Sequence, residues 1–389
     1  MDKGKKQDIL YISSVPVTLL YSGATFMYRL FQGYEQRLLI VQDKKLQEAS
    51  QLDAAPYFYI NPLAGKLINT RFRYVYNLLN VFKNDFFIPA TVKKIMKEKS
   101  PKLIVTVSNG LMWILAYQVA RKYKIPLVII AHDDLHCYFS EKKTSGRLIN
   151  NLFAKAYRHA ANRFCISELM KDTYLSKFNS PAEVLYPLQG NKLAPLPESK
   201  REGGLRIAYA GSLDVKVYVD MIIMLADELR KVNGKLVLFA TEFPQKLAAC
   251  DNIVNYGFLH PDELQRKMQE TADAFFVPFI FETGDTNVEL AFPSKMADYT
   301  LIPKPLLIWA PAGCALSLWF SSLNERAGVL VTEFDKQKIT EAIRDLSDPG
   351  NNERWGKNSY NAGAYYFDGK KQQAFFFKKL DELITGAVN

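Results

Sequence analysis

The sequence predicts an α/β protein of two doubly wound domains facing a cleft. Three observations carry this. Short apolar runs alternate with stretches of helical periodicity along nearly the whole chain. The alternation stops once, at residues 189–204 (QGNKLAPLPESKREGG), where Pro, Gly and charge replace apolar periodicity, and then restarts. The 389 residues also exceed what one hydrophobic core usually supports. The expected division is a first domain over 1–188, a linker over 189–204 and a second domain over 205–389. Ligands of such sheets sit at the carboxyl ends of the strands.

In the first half, DILYIS (8–13) reads as a buried parallel strand, and Tyr21-Ser22-Gly23-Ala24 leads into a helix. RLLIVQD (37–43) and PYFYINP (56–62) follow as strands. Residues 66–99 carry apolar positions at helical spacing, interleaved with Arg71, Arg73, Lys83, Lys93, Lys94, Lys97 and Lys99, and break near Pro89. KLIVTVSN (102–109) is a strand, and GLMWILAYQVARKY is a helix closed by Ile125-Pro126. PLVIIAHDD (126–134) is a strand ending on His132, Asp133 and Asp134. After a loop at 140–147 come the helix RLINNLFAKAYRHA, the strand NRFCIS, the helix ELMKDTYLSKF and the strand AEVLYPL.

Beyond the linker the pattern repeats. LRIAYAG, KLVLFAT, NIVNYGFL, DAFFVPFI, PLLIWAP and GVLVTE read as strands. VDMIIMLADELRKV and HPDELQRKMQETA are helices, the latter opened by Pro261 with Asp262 and Glu263 in its first turn. An acidic loop from Phe281 to Leu290 precedes Phe292-Pro293-Ser294-Lys295, which opens the short helix FPSKMADY. CALSLWFSSLNERA and two or three terminal helices complete the chain, and Trp113 and Trp309, in apolar runs, are expected in the core.

Composition excludes several classes. No C-x-x-C spacing joins the four cysteines, which argues against a zinc site or a disulfide framework and suits a reducing cytoplasm. Ser, Pro and Gly interrupt the first apolar run, so it makes a poor signal peptide. No stretch approaches the ~18 apolar residues of a membrane span. G-x-G-x-x-G, Walker A, H-E-x-x-H and G-x-S-x-G are all missing, which weakens dehydrogenase, NTPase, zinc-protease and α/β-hydrolase readings. Charge is uneven: residues 1–190 hold 27 Lys+Arg against 14 Asp+Glu, and residues 191–389 hold 23 against 26. A basic first half suits an anionic partner or surface; solvated lysine-rich helices are the alternative. The basic, aromatic segment 66–99 reads either as a dock for anionic lipid headgroups or as a pair of ordinary amphipathic helices.

The candidate chemistry lies at strand ends. A helix start at Pro293-Ser294-Lys295 offers free N–H groups, a dipole and an ammonium to a phosphate, with Asp298 one turn on to accept from sugar hydroxyls. The alternative for Lys295 and Asp298 is a surface ion pair worth ~0.3–0.5 kcal/mol. Gly211-Ser212-Leu213 is a second such turn, with Lys216 in reach of a phosphate or merely solvated. Ser22-Gly23 is its counterpart in the first half, or an ordinary turn. His132 is placed to hold a reacting sugar and Asp133 or Asp134 to act as base or loop cap. Glu282, Asp285 and Glu289 suggest a metal, but no D-x-D is present and Lys295 neutralises a diphosphate without one, so no metal and no cofactor are expected.

Several of these runs together resemble the GT-B glycosyltransferases, most closely those of family 4, retaining enzymes of bacterial cell-surface polysaccharide and glycolipid assembly. The resemblance is carried by HDD (132–134), CISELMKDTYLSKF (165–178), YAGSL (209–213), YGFL (256–259) and above all VPF…FPSKMADY…KP (277–305). It implies two Rossmann-like domains, terminal helices packing back on the first, a nucleotide diphosphate-sugar donor bound by the second and an acceptor held by the first. Lys216 matches the family's phosphate-binding lysine, while Ser212 stands near where the family has an arginine. The backbone at Gly257 and Phe258 is implied to meet the nucleobase, His132 to lie beside the transferred sugar, and Asp298 to face the ribose. Glu282 is implied to face the donor sugar across a longer loop than the family has, with Glu289 its competitor. The resemblance also implies a cytoplasmic protein, peripheral to the inner face of the membrane, that meets no nucleic acid. In the retaining reaction the departing phosphate helps deprotonate the acceptor. A sugar-nucleotide epimerase and a non-catalytic binding protein on the same fold are the competing readings.

Overall fold

The computed structural model describes residues 7–19, 22–43, 45, 51–61, 73–135, 144–192, 203–213, 216–281 and 289–386. These form two compact α/β units: Met1–Tyr186 with Gly369–Asn389, and Pro187–Asp368.

The first unit is built on seven parallel strands in the order β3-β2-β1-β4-β5-β6-β7. They are β1 (Ile9–Ser13), β2 (Leu38–Gln42), β3 (Tyr57–Tyr59), β4 (Leu103–Val107), β5 (Leu127–Ala131), β6 (Asn162–Cys165) and β7 (Glu183–Val184). Every residue of β1, β2, β4 and β5 is buried, because helices cover both faces of a parallel sheet. That is why these strands are uninterrupted apolar runs such as LIVTV and LVIIA. The expected strand at 182–188 is only two residues long, at the sheet edge.

The helices here are α1 (Ser22–Phe31), α2 (Arg73–Phe86), α3 (Ala90–Glu98), α4 (Met112–Tyr123), α5 (Thr144–His159) and α6 (Glu168–Phe178). Ser167 caps α6 by accepting from the Met170 N–H at 3.0 Å.

The second sheet has six parallel strands in the order β10-β9-β8-β11-β12-β13. They are β8 (Arg206–Ala210), β9 (Lys235–Phe239), β10 (Ile253–Asn255), β11 (Ala274–Pro278), β12 (Leu306–Trp309) and β13 (Gly328–Val331). Strand β10 stops short of the expected NIVNYGFL run: after Asn255 the chain turns, and Gly257 sits at φ +72°, a conformation a side chain resists. The helices are α7 (Lys216–Arg230), α8 (Gln245–Ala248), α9 (Pro261–Thr271), α10 (Lys295–Tyr299), α11 (Ala315–Ser321), α12 (Lys336–Ser347) and α13 (Pro349–Tyr366). Asp335 and Asp348 cap α12 and α13, and Pro349 fills the first position of α13, where its missing N–H costs nothing. Trp113 and Trp309 are both fully buried.

The last helix, α14 (Gly369–Thr385), returns to the first unit rather than staying with residues 205–368. Its apolar face places Phe376 against Phe164 (5.1 Å between centroids) and Phe31 (6.4 Å), and stacks Phe377 on Tyr34 at 3.6 Å. The Gln373 amide donates to the carbonyls of Arg29 (2.7 Å) and Gln32 (2.8 Å), where α1 ends. Arg37 bridges Asp8 (2.9 Å) and Asp381 (2.7 Å).

In both sheets the strand order reverses once, between β1 and β4 and between β8 and β11. Such reversals open a crevice at the carboxyl ends of the strands.

Because Phe376 is wholly buried, Phe376→Ala is expected to lower stability by ~3–5 kcal/mol in denaturant melts. A loss below about 1 kcal/mol would mean that α14 is not part of the first core.

Candidate active site

At the second crevice, β8 delivers Tyr209, Gly211 and Ser212, and α10 delivers Lys295 and Tyr299. Tyr299 locks the two pieces together. Its hydroxyl accepts from the Ala210 N–H at 2.7 Å, and its ring stacks on Phe275 at 4.6 Å. Burial pushes its phenol far above the ordinary value, so it stays a neutral hydrogen-bonding group.

Lys295 lies on this platform. Its Nζ sits 4.0 Å from the centroid of the Tyr209 ring, while the Tyr209 hydroxyl donates to the Ser212 carbonyl at 2.8 Å. No carboxylate among the described residues pairs with Lys295, and Asp298 in particular does not. Burial lowers the Lys295 pKa from the usual 10.5 to about 7. Gly211 makes the fit possible. It adopts φ +150°, and a Cβ there would stand 3.1 Å from Lys295 Nζ and 3.0 Å from Tyr209 Oη.

Helix α10 spans only five residues, and Ser294 makes no side-chain cap. The cradle expected at Pro293-Ser294-Lys295 therefore owes little to a helix dipole, because few peptide units align. Its charge is the Lys295 ammonium itself. Asp298 is half-buried on the same short helix. Lys216 is exposed at the first position of the fifteen-residue α7, whose first turn holds no acidic residue.

Gly257 and Phe258 follow β10 on the same edge. Asn255 fixes them: its Oδ1 accepts from the N–H groups of Gly257 (3.1 Å) and Ala240 (3.2 Å), and its Nδ2 donates to the Ala240 carbonyl. Phe258 is left exposed beside His260, a flat apolar face at the strand ends.

The first unit presents its own constellation. His132 follows β5, with Phe26 edge-on at 5.2 Å; a Cβ on Gly23 would lie 3.9 Å from its Cε1. Its Nδ1 is 3.8 Å from Asp133 Oδ1, and Nε2 is buried without a hydrogen-bond partner among the described residues. Asn109 donates to Asp133 at 3.0 Å, while Asp134 is buried and accepts from Tyr174 at 2.9 Å. Asp134 is thus a structural anchor, and Asp133 is the carboxylate beside the imidazole. Ser22 begins α1. Glu282, Asp285 and His136 lie outside the described residues, and Glu289 is exposed.

Four residues escaped sequence reasoning. Gln42 closes β2 and Ser108 follows β4, both almost fully buried, and the polar side-chain atoms of both lack hydrogen-bond partners among the described residues. Buried groups of this kind are ordinarily satisfied by water or ligand. A polar residue closing an apolar run was the available signal. Tyr209 and Tyr299 house Lys295; they lie in the YAGSL and FPSKMADY runs, but their role depends on the approach of α10 to β8, which spacing does not show.

Residues 32–187 match the family model for Glycosyltransferase Family 4. No curated protein matches the sequence. Among solved structures the chain is similar to sucrose-phosphate synthase from Thermosynechococcus elongatus, with TM-score 0.66 and 14% identity over 97% of this chain and 100% of that one. It is similar to Anabaena HepE in complex with UDP and glucose, with TM-score 0.66 and 16% identity over 96% and 99%. It is also similar to WaaG, a glycosyltransferase involved in lipopolysaccharide biosynthesis, with TM-score 0.61 and 15% identity over 94% and 99%. The fold is that of the GT-B glycosyltransferases. The matched segment lies almost wholly in the first unit and includes two of the runs that carried the resemblance, HDD (132–134) and CISELMKDTYLSKF (165–178).

The depressed Lys295 pKa sets a pH signature. The unfolded chain keeps this proton to about pH 10.5, so between about 7 and 10 it binds more protons than the native state, and stability rises with pH there. Relative to Lys295→Met, the wild type is expected to gain up to ~1.4 kcal/mol per pH unit across that window in parallel melts. A pH-independent difference would contradict the desolvation of Lys295.

Proposed function

We propose that this chain transfers a sugar from a nucleotide diphosphate-sugar to a glycan or lipid-linked acceptor. The observation that carries the reading is the partly buried Lys295 ammonium over the Tyr209 ring at the strand-order reversal of the second sheet, with no carboxylate partner among the described residues. A buried cation without a counter-ion is expensive, and a ligand diphosphate is the group that satisfies it. In a site poor in water its attraction for charge developing on a leaving diphosphate exceeds what the same lysine contributes in bulk solvent.

Lys216 and the amino end of α7 supply a second positive element to the phosphates. Ser212 cannot replace an arginine there, so Lys295 carries the larger share. Phe258 offers its face to the base, with Gly257 allowing backbone approach, and Asp298 accepts from ribose hydroxyls. HepE, bound to UDP and glucose, supports this reading by its similarity of fold.

In the first unit His132 donates from its imidazole to a hydroxyl of the transferred sugar or acceptor, with Asp133 orienting it and Gly23 leaving room beside the ring. Departing phosphate accepts the acceptor proton, so configuration is retained and no metal is required. A lipid-linked acceptor would bring the protein to the inner face of the cell membrane as a peripheral enzyme. No helix among the described residues is long and apolar enough to cross a membrane.

A thermal-shift panel of UDP, GDP, dTDP and ADP with their sugars should select one base; saturation at 100 Kd adds about 2.7 kcal/mol of stability. With that donor and acceptor, Lys295→Ala is expected to lower kcat by 10²–10³. His132→Ala should abolish most transfer while leaving nucleotide affinity intact. Conversion of the donor without acceptor would instead identify an epimerase, and nucleotide binding without turnover across acceptors a binding protein.

A further inference from the structure

Helix α2 buries two asparagines beside Val81 and exposes an aromatic stripe. Its buried positions include Asn80 and Asn84, whose amides donate to the Tyr76 carbonyl (2.9 Å) and the Leu111 carbonyl (3.1 Å), and Asp85 accepts from Gln118. Its solvent face carries Leu79, Phe82 and Phe86, at 50, 52 and 69% exposure, continued by Phe87 at 71%. These four are among the most exposed large apolar residues of the described chain, and three of them follow the i, i+3, i+7 spacing of one helical stripe. Phe82 and Phe86 stack on each other at 6.0 Å rather than on the core. An amphipathic helix normally buries such a stripe. Asn84 and Asp85 tie this face to the Leu111 carbonyl and to Gln118 of α4, so turning the aromatics inward would break both contacts.

Charge surrounds the stripe. Residues 73–102 hold seven Lys+Arg against two Asp+Glu, and α3, which follows Phe87 after two residues, exposes Lys93, Lys94 and Lys97. Aromatic side chains flanked by lysines match the acyl–headgroup boundary of an anionic bilayer, where rings enter the apolar layer and ammonium groups stay with phosphates. A partner protein would need matching acidic groups, and a second copy would set like charge against like.

We propose that Leu79, Phe82, Phe86 and Phe87, with the lysines of α3, are the surface by which this protein docks on an anionic lipid bilayer. The proposal deepens the reading of a lipid-linked acceptor, but its test needs neither donor nor transfer.

The full chain is sedimented with vesicles of phosphatidylcholine alone and with about one third phosphatidylglycerol. Binding is expected only to the anionic vesicles and should weaken steeply with salt, because ions screen the attraction of surface lysines to lipid phosphates. Phe82→Ser/Phe86→Ser/Phe87→Ser is expected to cut the bound fraction at least tenfold, and Lys93→Glu/Lys94→Glu/Lys97→Glu comparably. Both should leave the thermal melt of the free protein cooperative and near that of the wild type, which verifies folding. In a Phe86→Trp variant the indole emission should move to the blue on anionic vesicles alone. Equal binding by wild type and the serine variant would overturn the proposal. So would a concentration-dependent dimer that the serine substitutions dissolve in a protein that ignores vesicles. Vesicle binding with no transfer from any donor would leave the docking surface standing and sink the enzymatic reading instead.

Discussion

The candidate site depends on one arrangement: a lysine ammonium held over a tyrosine ring, partly buried and with no carboxylate paired to it among the described residues. Lys295 reaches that position because Tyr299 ties α10 to the end of β8, and because Gly211 has no side chain to obstruct Nζ. Cation–π attraction to Tyr209 returns only ~0.5–2 kcal/mol, too little to offset the desolvation of a full charge. The proton is therefore loosely held, with a pKa of about 7. A folded chain retains such a position against its cost where a ligand completes it. Tyr299, a neutral group, anchors α10 where a carboxylate would have compensated the cation.

The two sheets explain why these side chains meet at strand ends. A parallel sheet buried on both faces has no room for chemistry along its strands, so polar residues collect where strands stop. In the first unit that edge holds Gln42, Ser108, Asn109, His132 and Asp133; in the second it holds Tyr209, Ser212, Asn255 and Lys295. Asp134 shows the opposite outcome, since one residue beyond Asp133 it is committed to Tyr174 and has become part of the core.

Much of this was legible in the sequence, for physical reasons. Runs such as ILYIS, LIVTV and LVIIA stand out because both faces of each strand are buried, and the restart after residue 204 exposed the second sheet. His132 and Lys295 were legible as strand-end and helix-start residues. Their environments were not. The depth of Lys295 depends on pairing between β8 and β11 across some sixty intervening residues, and local spacing offered a surface ion pair with Asp298 equally well. Gly257 was visible, yet that it ends β10 follows from φ +72° rather than from composition. The inverted face of α2 was hidden for a related reason: apolar positions at helical spacing look the same whichever way they point.

If Lys295 is the group that meets a diphosphate, it must take up a proton when the ligand binds above its own pKa of about 7. Calorimetric titration with the preferred nucleoside diphosphate from about pH 7.5 to 9.5, in buffers of differing ionisation heat, reads that proton. Binding should take up close to one proton at the upper end of that range, with affinity falling as pH rises. In Lys295→Met the uptake should vanish and the pH dependence flatten. Tight binding that exchanges no proton, or identical proton uptake in Lys295→Met, would contradict the account.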